Sequence, residues 1–450
     1  MTTDCHAGAL LLKPAILCTL VLSVAFVVTA VQLPFLVLAI TVLLVLIVLV
    51  ADKTPGSWFL IGASLHAVLT YVATVISGII GGSGNNASGF LLDAFKIYFV
   101  GVSAMLVGYG LSKRPEIRCR TVDLNLERFD RLTLLAALVG SGVIAYVLSG
   151  IGFVQMILTG TFSRYFGEEQ VGSQYSLYQL LLRRGLAILV VAIPILLLRW
   201  QQTKSRVLFT VAVVSLLSIL STARRGPILI ALVSFALTNA IAGKNRRLIA
   251  VSMVILVAAF FVVQGFFVNV ESDSDSAVAK TSFVLRSALT EVSDLAWVLS
   301  EWNQHWYMGA TWAAAVWPVP ATISTFKDTY VLSSVTKDIV GIPREAEHGG
   351  LRISLFGEAY LNFGYAAVVA IGLVFGLLVR QLNGLIDWAK QQGQLILLPF
   401  MFLYLAGLWQ FYLSGTGVLS DSILSLLAMA LIYGASMRRR FLKTLDEPNP

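Results

Sequence analysis

Two pairs of arginines, Arg183 with Arg184 and Arg224 with Arg225, each stand where a long apolar run begins. His348, Arg352 and Glu358 gather at the entry of another such run. A guanidinium stays charged, and its planar donor fork matches the oxygens of a phosphate. A carboxylate or imidazole at a membrane boundary can take a proton from an attacking hydroxyl. These residue types therefore suit an anionic, phosphate-bearing ligand and the deprotonation of a nucleophile. Each also has a plainer use. Arginines near span ends snorkel to the interface, and Glu358, Arg352 and His348 can pair with one another at a helix end.

The elements that must position them are membrane spans. The chain of 450 residues is 57% hydrophobic and 12% charged, with a mean hydropathy of +0.83. That excludes a soluble globular protein. Apolar runs at 14–31, 33–51, 58–80, 91–111, 131–149, 180–199, 206–222, 226–242, 247–268, 357–380, 394–413 and 419–436 approach the ~20 residues that cross the hydrocarbon, 206–222 and 226–242 being shortest. The predicted fold is all-α and polytopic, with about 12 transmembrane helices. It divides into helices 1–9 over 1–268, one large outer loop over 269–356, and helices 10–12 with a basic tail over 357–450. The first run is preceded only by Lys13 and reads as a retained span rather than a cleaved leader. No internal repeat of the kind found in duplicated transporters is evident.

Alternation across these spans puts 20 of the 32 Lys and Arg residues on one face and 12 on the other. The positive-inside rule then places both termini in the cytoplasm. The formal net charge of +8 belongs to cytoplasmic loops and not to nucleic-acid binding. Arg164, Arg183, Arg184, Arg224 and Arg225 fall on the disfavoured outer face, as do Arg286, Arg344 and Arg352 of the large loop. A lipid-linked pyrophosphate at the outer leaflet is the kind of ligand such a cluster could hold. Cys5, Cys18 and Cys119 offer no disulfide in the outer loop and no metal motif.

The loop of about 90 residues is long enough to expect a function of its own. Asp273 and Asp275 have the DxD spacing that holds a divalent cation in many glycosyltransferases, but here within a Ser-rich polar leader. The stretch 283–306 reads as an amphipathic helix with Arg286, Glu291, Asp294 and Glu301 between its apolar positions, packing on the outer membrane face or on the tops of the spans. Trp302, Trp306, Trp312 and Trp317, with Tyr360 beyond the loop, suit either an interfacial aromatic belt or a groove on which sugar rings stack. Segment 309–323, with Trp317-Pro318-Val319-Pro320, reads as a short re-entrant or surface helix broken by prolines. Glu358 falls near the outer end of a span, where ionisable groups are usually functional.

Three stretches resemble the bacterial O-antigen polymerases, the oligosaccharide repeat-unit polymerases of the Wzy type. They are the Thr222-Ala-Arg224-Arg225-Gly226 turn, the Gly309…Trp317-Pro318-Val319-Pro320 segment, and the Gly357-Glu358-Ala-Tyr360-Leu-Asn362-Phe363-Gly364 span entry. The resemblance covers most of the chain by architecture and about 50 residues by motif. It implies a GT-C-like glycosyltransferase of the bacterial cytoplasmic membrane. Such an enzyme moves a growing glycan from undecaprenyl pyrophosphate to a sugar hydroxyl of a new lipid-linked repeat unit at the outer face, with no essential metal. Its partners would be lipid-linked donor and acceptor, membrane lipids, a chain-length regulator and a flippase, with no nucleic acid. On this reading Arg224 and Arg225 bind the donor pyrophosphate, with Arg183, Arg184 and Arg164 reinforcing them. Glu358 is the first candidate base and His348 the second, while Arg352 orients the base or an acceptor phosphate. O-antigen ligases share the architecture and also carry an outer-loop His. A lipid-linked oligosaccharide flippase is the competing class, but it calls for polar residues within several spans, and here Asp93 and Lys96 are the main ones.

Overall fold

The computed structural model describes residues 54–81, 89–112, 124–150, 175–222, 225–241, 290–317, 324–343 and 351–436. Among them every extended element is helical: α1 Pro55–Gly81, α2 Leu91–Leu111, α3 Leu126–Gly150, α4 Tyr175–Thr203, α5 Arg206–Leu220, α6 Arg225–Ile241, α7 Glu291–Glu301, α8 Ala310–Val316, α9 Thr325–Tyr330, α10 Leu332–Val340, α11 Ser354–Gln391, α12 Leu398–Ser414 and α13 Leu419–Ser436. Within the described residues, Leu91–Leu111, Leu126–Gly150, Leu180–Thr203, Ser354–Gln391 and Leu395–Ser414 are long and apolar enough to cross a membrane. The runs expected at 14–31, 33–51 and 247–268 lie outside the described residues.

The chain forms two compact units. The second comprises 117–267, 386–406 and 421–450. Its α3 and α4 meet at two glycines: a Cβ on Gly140 would fall 2.8 Å from the Leu189 side chain, and one on Gly185 would fall 3.1 Å from the Gly140 carbonyl. Close backbone approach of this kind holds helices together where no hydrophobic drive operates between them. A buried core of Ile144, Leu182, Leu189, Ile193, Ala212 and Ile228 ties α3, α4, α5 and α6 together. The two-residue link 204–205 joins α4 to α5, and α6 packs on both. At the C-terminal end of α4, Arg199 grips Asp130 with both arms of its fork, at 2.7 and 2.8 Å.

The first unit comprises 1–116, 268–385 and 407–420. Here α2 crosses α11 through Gly108 and Gly376: a Cβ on Gly376 would lie 1.9 Å from the Met105 carbonyl, and one on Gly108 would lie 2.1 Å from that of Leu373. Gly376→Val should therefore force the helices apart and destabilise the protein by about 3 kcal/mol. A thermal melt of the detergent-solubilised protein that did not move would refute this crossing. Beyond it, Asn383 closes a polar knot by accepting from Gly56 N (2.7 Å) and donating to Thr54 and Tyr109.

The span expected at 357–380 is not one straight helix. Inside α11 the backbone leaves helical geometry at Phe363 (φ −146°, ψ 21°) and Gly364 (φ 65°, ψ −157°). Gly364 takes a left-handed φ that residues with a Cβ resist. The contacts show that the chain reverses there. A Cβ on Gly101 would meet the Phe356 ring at 2.4 Å, and one on Gly372 would meet the Gly101 carbonyl at 2.5 Å. In a straight helix Phe356 and Gly372 would stand about 24 Å apart, not against one glycine. Leg 354–362 therefore starts level with the middle of α2, rises about 12 Å to the reversal, and leg 365–391 descends beside it.

Helix α7 rises alongside the shorter leg. It packs on α1 and α2, and the Leu295 side chain lies against Gly357, where a Cβ would have 3.0 Å. The helix expected over 283–306 ends at Glu301 in its described part, and Trp306 lies outside it. Asn303 is the physical reason. Its side chain accepts the His305 N–H at 3.1 Å, while the Trp302 indole donates to the His305 carbonyl at 3.0 Å. Such local bonds offer the backbone an alternative to the helix.

Candidate functional site

Glu358 sits in the rising leg, with none of its surface exposed. Oε1 accepts from the Thr311 hydroxyl (2.7 Å) and the Thr416 hydroxyl (2.5 Å), and Oε2 accepts from Thr416 N (2.7 Å). One turn later Asn362 donates to Thr311 Oγ1 and accepts from Gly309 N, both at 2.8 Å. The two side chains thus pin α8 and the turn at 415–418 onto α11. Gly415 is required twice over: its φ is +59°, and a Cβ would come 2.4 Å from Glu358 Oε2. Three donors leave this carboxylate closely engaged, and Gly357 beside it does not interrupt the helix.

Below Glu358 lies a second ionisable group that sequence reasoning did not assemble. Glu291, in the first turn of α7 and 1% exposed, has Oε2 at 3.3 Å from His66 Nε2 of α1. Its Oε1 lies 3.7 Å from Arg352 Nη1. Oε2 has no partner in hydrogen-bond geometry among the described residues. The Tyr412 hydroxyl donates to the Ala63 carbonyl at 3.1 Å, which makes His66 Nδ1, 3.3 Å away, the donor to Tyr412. Asp294 follows on the same face and accepts the Arg352 backbone N–H at 2.9 Å. Burial pushes the Asp294 carboxyl up to about 6, and Glu291 adds to the rise, against the pull of the Arg352 backbone N–H and guanidinium. Acids in the first turn of α7 also meet the positive end of its dipole.

Arg352 itself keeps a side chain 44% exposed. Ser354, which follows, takes a left-handed φ of 60° at a fully buried position. A non-glycine there stores about 1–2 kcal/mol, a kind of strain that clusters at functional sites. Its hydroxyl accepts the Phe356 N–H at 3.2 Å and helps start α11.

At the top of the same two elements the aromatics gather. Trp302 and Trp306 meet edge to face at 4.9 Å, and Tyr360 lies 5.9 and 5.8 Å from them. Trp312 packs on Phe363 at the reversal, 5.6 Å away. Trp317 does not join this group; it is exposed and meets Phe326 edge to face at 5.7 Å.

The arginine pairs are placed only in part. Arg183 is exposed and Arg184 half-buried near the start of α4, while Arg225 opens α6. Arg164, Arg224, His348, Asp273 and Asp275 lie outside the described residues. Among the described residues no three His, Cys, Asp or Glu side chains gather to hold a metal. The signal for the missed group was present in the sequence: His66 inside an apolar run, and two acids three residues apart at the start of a helix whose next turns are apolar. No protein-family model, curated protein or solved structure matches the chain.

Proposed function

We propose that this chain is a GT-C-like glycosyltransferase of the bacterial cytoplasmic membrane that joins undecaprenyl-pyrophosphate-linked oligosaccharide repeat units at the outer face. On this reading it has twelve spans and both termini in the cytoplasm. The observation that carries the proposal is the arrangement on α7 and the rising leg of α11. Charged groups (Arg352, Asp294, Glu291) stand at the lower end, and the ledge of Trp302, Trp306 and Tyr360 stands at the upper. That order suits a lipid-linked glycan whose sugars lie on aromatic faces while its reacting end meets fixed charge. Arg224 and Arg225, with Arg183, Arg184 and Arg164, would stabilise the departing pyrophosphate. The deciding experiment is reconstitution of the purified protein with a lipid-linked repeat unit from cells carrying the gene. A ladder of lengths is expected; recovery of only the single repeat sinks the proposal.

A flippase of the same lipid is the second reading. His66, Glu291 and Arg352 favour it, because they bring charge to the level of the middle of α2. The ladder separates the two, since a flippase moves repeat units without joining them.

Orientation has its own test. In a background with the three native cysteines replaced, Glu301→Cys should react with an impermeant thiol reagent in spheroplasts and Lys204→Cys should not. Both positions are exposed in the structure, so access is not limited by packing. Labelling confined to Lys204→Cys would reverse the orientation.

A further inference from the structure

We infer that Asp294, held against Arg352, is the catalytic base of the transfer, and that the buried pair Glu291 and His66 is the device that positions Arg352 beside it. The inference rests on the polymerase reading and assigns the proton-accepting step within it.

The geometry separates Asp294 from the alternative carboxylate. Glu358 is fully buried and receives three hydrogen bonds from Thr311 and Thr416, all of which dock protein segments. Taking up a substrate proton there would disrupt that docking. Asp294 is only partly buried; its Oδ2 accepts the Arg352 backbone N–H, and the Thr290 side chain and the Arg352 guanidinium also act on the carboxylate. The exposed guanidinium of Arg352 lies on the same side, so a hydroxyl can meet base and cation together.

The groups acting on Asp294 come from several neighbouring elements, and α10, which also packs on α7, carries Lys337 and Asp338. Arg352 faces it from the segment before α11, Glu291 and Thr290 from the start of α7, and Tyr98 from α2, while His66 of α1 acts through Glu291. Without Glu291 behind it, the Arg352 guanidinium would turn fully onto Asp294 and hold the carboxylate as an ion pair, which weakens a base. Glu291, itself facing His66, holds Nη1 of Arg352 at 3.7 Å and prevents that collapse. A carboxyl at about 6 is ionised at neutral pH, yet basic enough to accept a proton in the transition state.

The step balances. As the acceptor oxygen bonds to the donor's anomeric carbon, its proton passes to Asp294. The bond from that carbon to the pyrophosphate oxygen breaks, and the electron pair leaves on the pyrophosphate.

Asp294→Asn keeps an acceptor for the Arg352 N–H but accepts no proton. In proteoliposomes loaded with the isolated lipid-linked repeat unit it should lose at least ~100-fold in ladder formation. Repeat-unit binding should stay within about twofold, because the arginine pairs and aromatic ledge are untouched. Its melting temperature near neutral pH should hold or rise, since the wild-type carboxylate, raised to about 6, is destabilising when ionised there. Asp294→Glu should retain part of the activity. The wild type should lose activity about tenfold per unit below pH ~6.

Ladders from Asp294→Asn at the wild-type rate, with the same acidic limb, would overturn the assignment and leave the polymerase reading standing. So would loss of activity accompanied by lost binding and a lowered melting temperature, which marks a structural role. A wild type that forms no ladder at all overturns both.

Discussion

Glu358→Ala should remove most of the folded protein from the membrane. The substitution leaves the Thr416 backbone N–H buried without an acceptor, takes the shared partner from the Thr311 and Thr416 hydroxyls, and opens a cavity beside Gly415. A buried donor left unmade costs about 1–3 kcal/mol, so the sum is roughly 4 kcal/mol, a large share of a typical stability. Glu358→Gln is the finer probe. Its carbonyl can still accept both threonine hydroxyls, but its amide then faces the Thr416 N–H, donor against donor. It should fall between wild type and alanine in melting temperature, and its activity per folded molecule should stay within about tenfold of wild type. If instead Glu358→Gln is as stable as wild type and makes no polymer, Glu358 is the base after all and the inference for Asp294 fails with it. Membrane abundance, a thermal melt and the ladder assay on the same preparations distinguish these outcomes.

Arg224→Ala and Arg225→Ala should each cut polymerisation by at least ~100-fold at normal membrane abundance. Departure of a polyprenyl pyrophosphate develops charge on its oxygens, and losing one fixed donor from such a site typically costs 10²–10³ in rate. The motivating feature is a pair of permanently charged residues at consecutive positions, the second of which opens α6. Arg224→Lys keeps the charge but loses the planar fork, and should remain impaired if two-point phosphate binding matters. Full-length polymer from both alanine variants would remove the pyrophosphate assignment and leave these arginines as interfacial anchors.

Much of the helical architecture was legible because the signal is local. The run expected at 91–111 is the helix Leu91–Leu111, and α3, α4, α5, α12 and α13 fall on runs marked by hydropathy alone. The start of the eighth run beside Arg225, and a helix carrying Glu291, Asp294 and Glu301, were likewise visible. The motif around Glu358 and Asn362 stood out in the sequence as a candidate base at a span entrance; its hydrogen bonds to Thr311, Thr416 and Gly309 did not. The spacing Gly372-Leu-Val-Phe-Gly376, a GxxxG pattern that marks close helix crossings, passed unread.

Length, apolar composition and period act residue by residue, so they already dictate helices among the described residues and where most of the long apolar ones lie. The tertiary structure alone decided direction and company. Hydropathy averages along the chain and cannot register a reversal at Phe363 and Gly364, because both legs are apolar and only the backbone angles differ. Nor does local pattern bring His66, Glu291 and Arg352 together from three distant stretches, or show that Glu358 receives its hydrogen bonds from Thr311 and Thr416. Those partners are chosen by which helices can approach closely enough at glycine. Once the legs of α11 fold against α2, an ionisable group carried to that depth must find its counterpart there, because water is no longer at hand to solvate it.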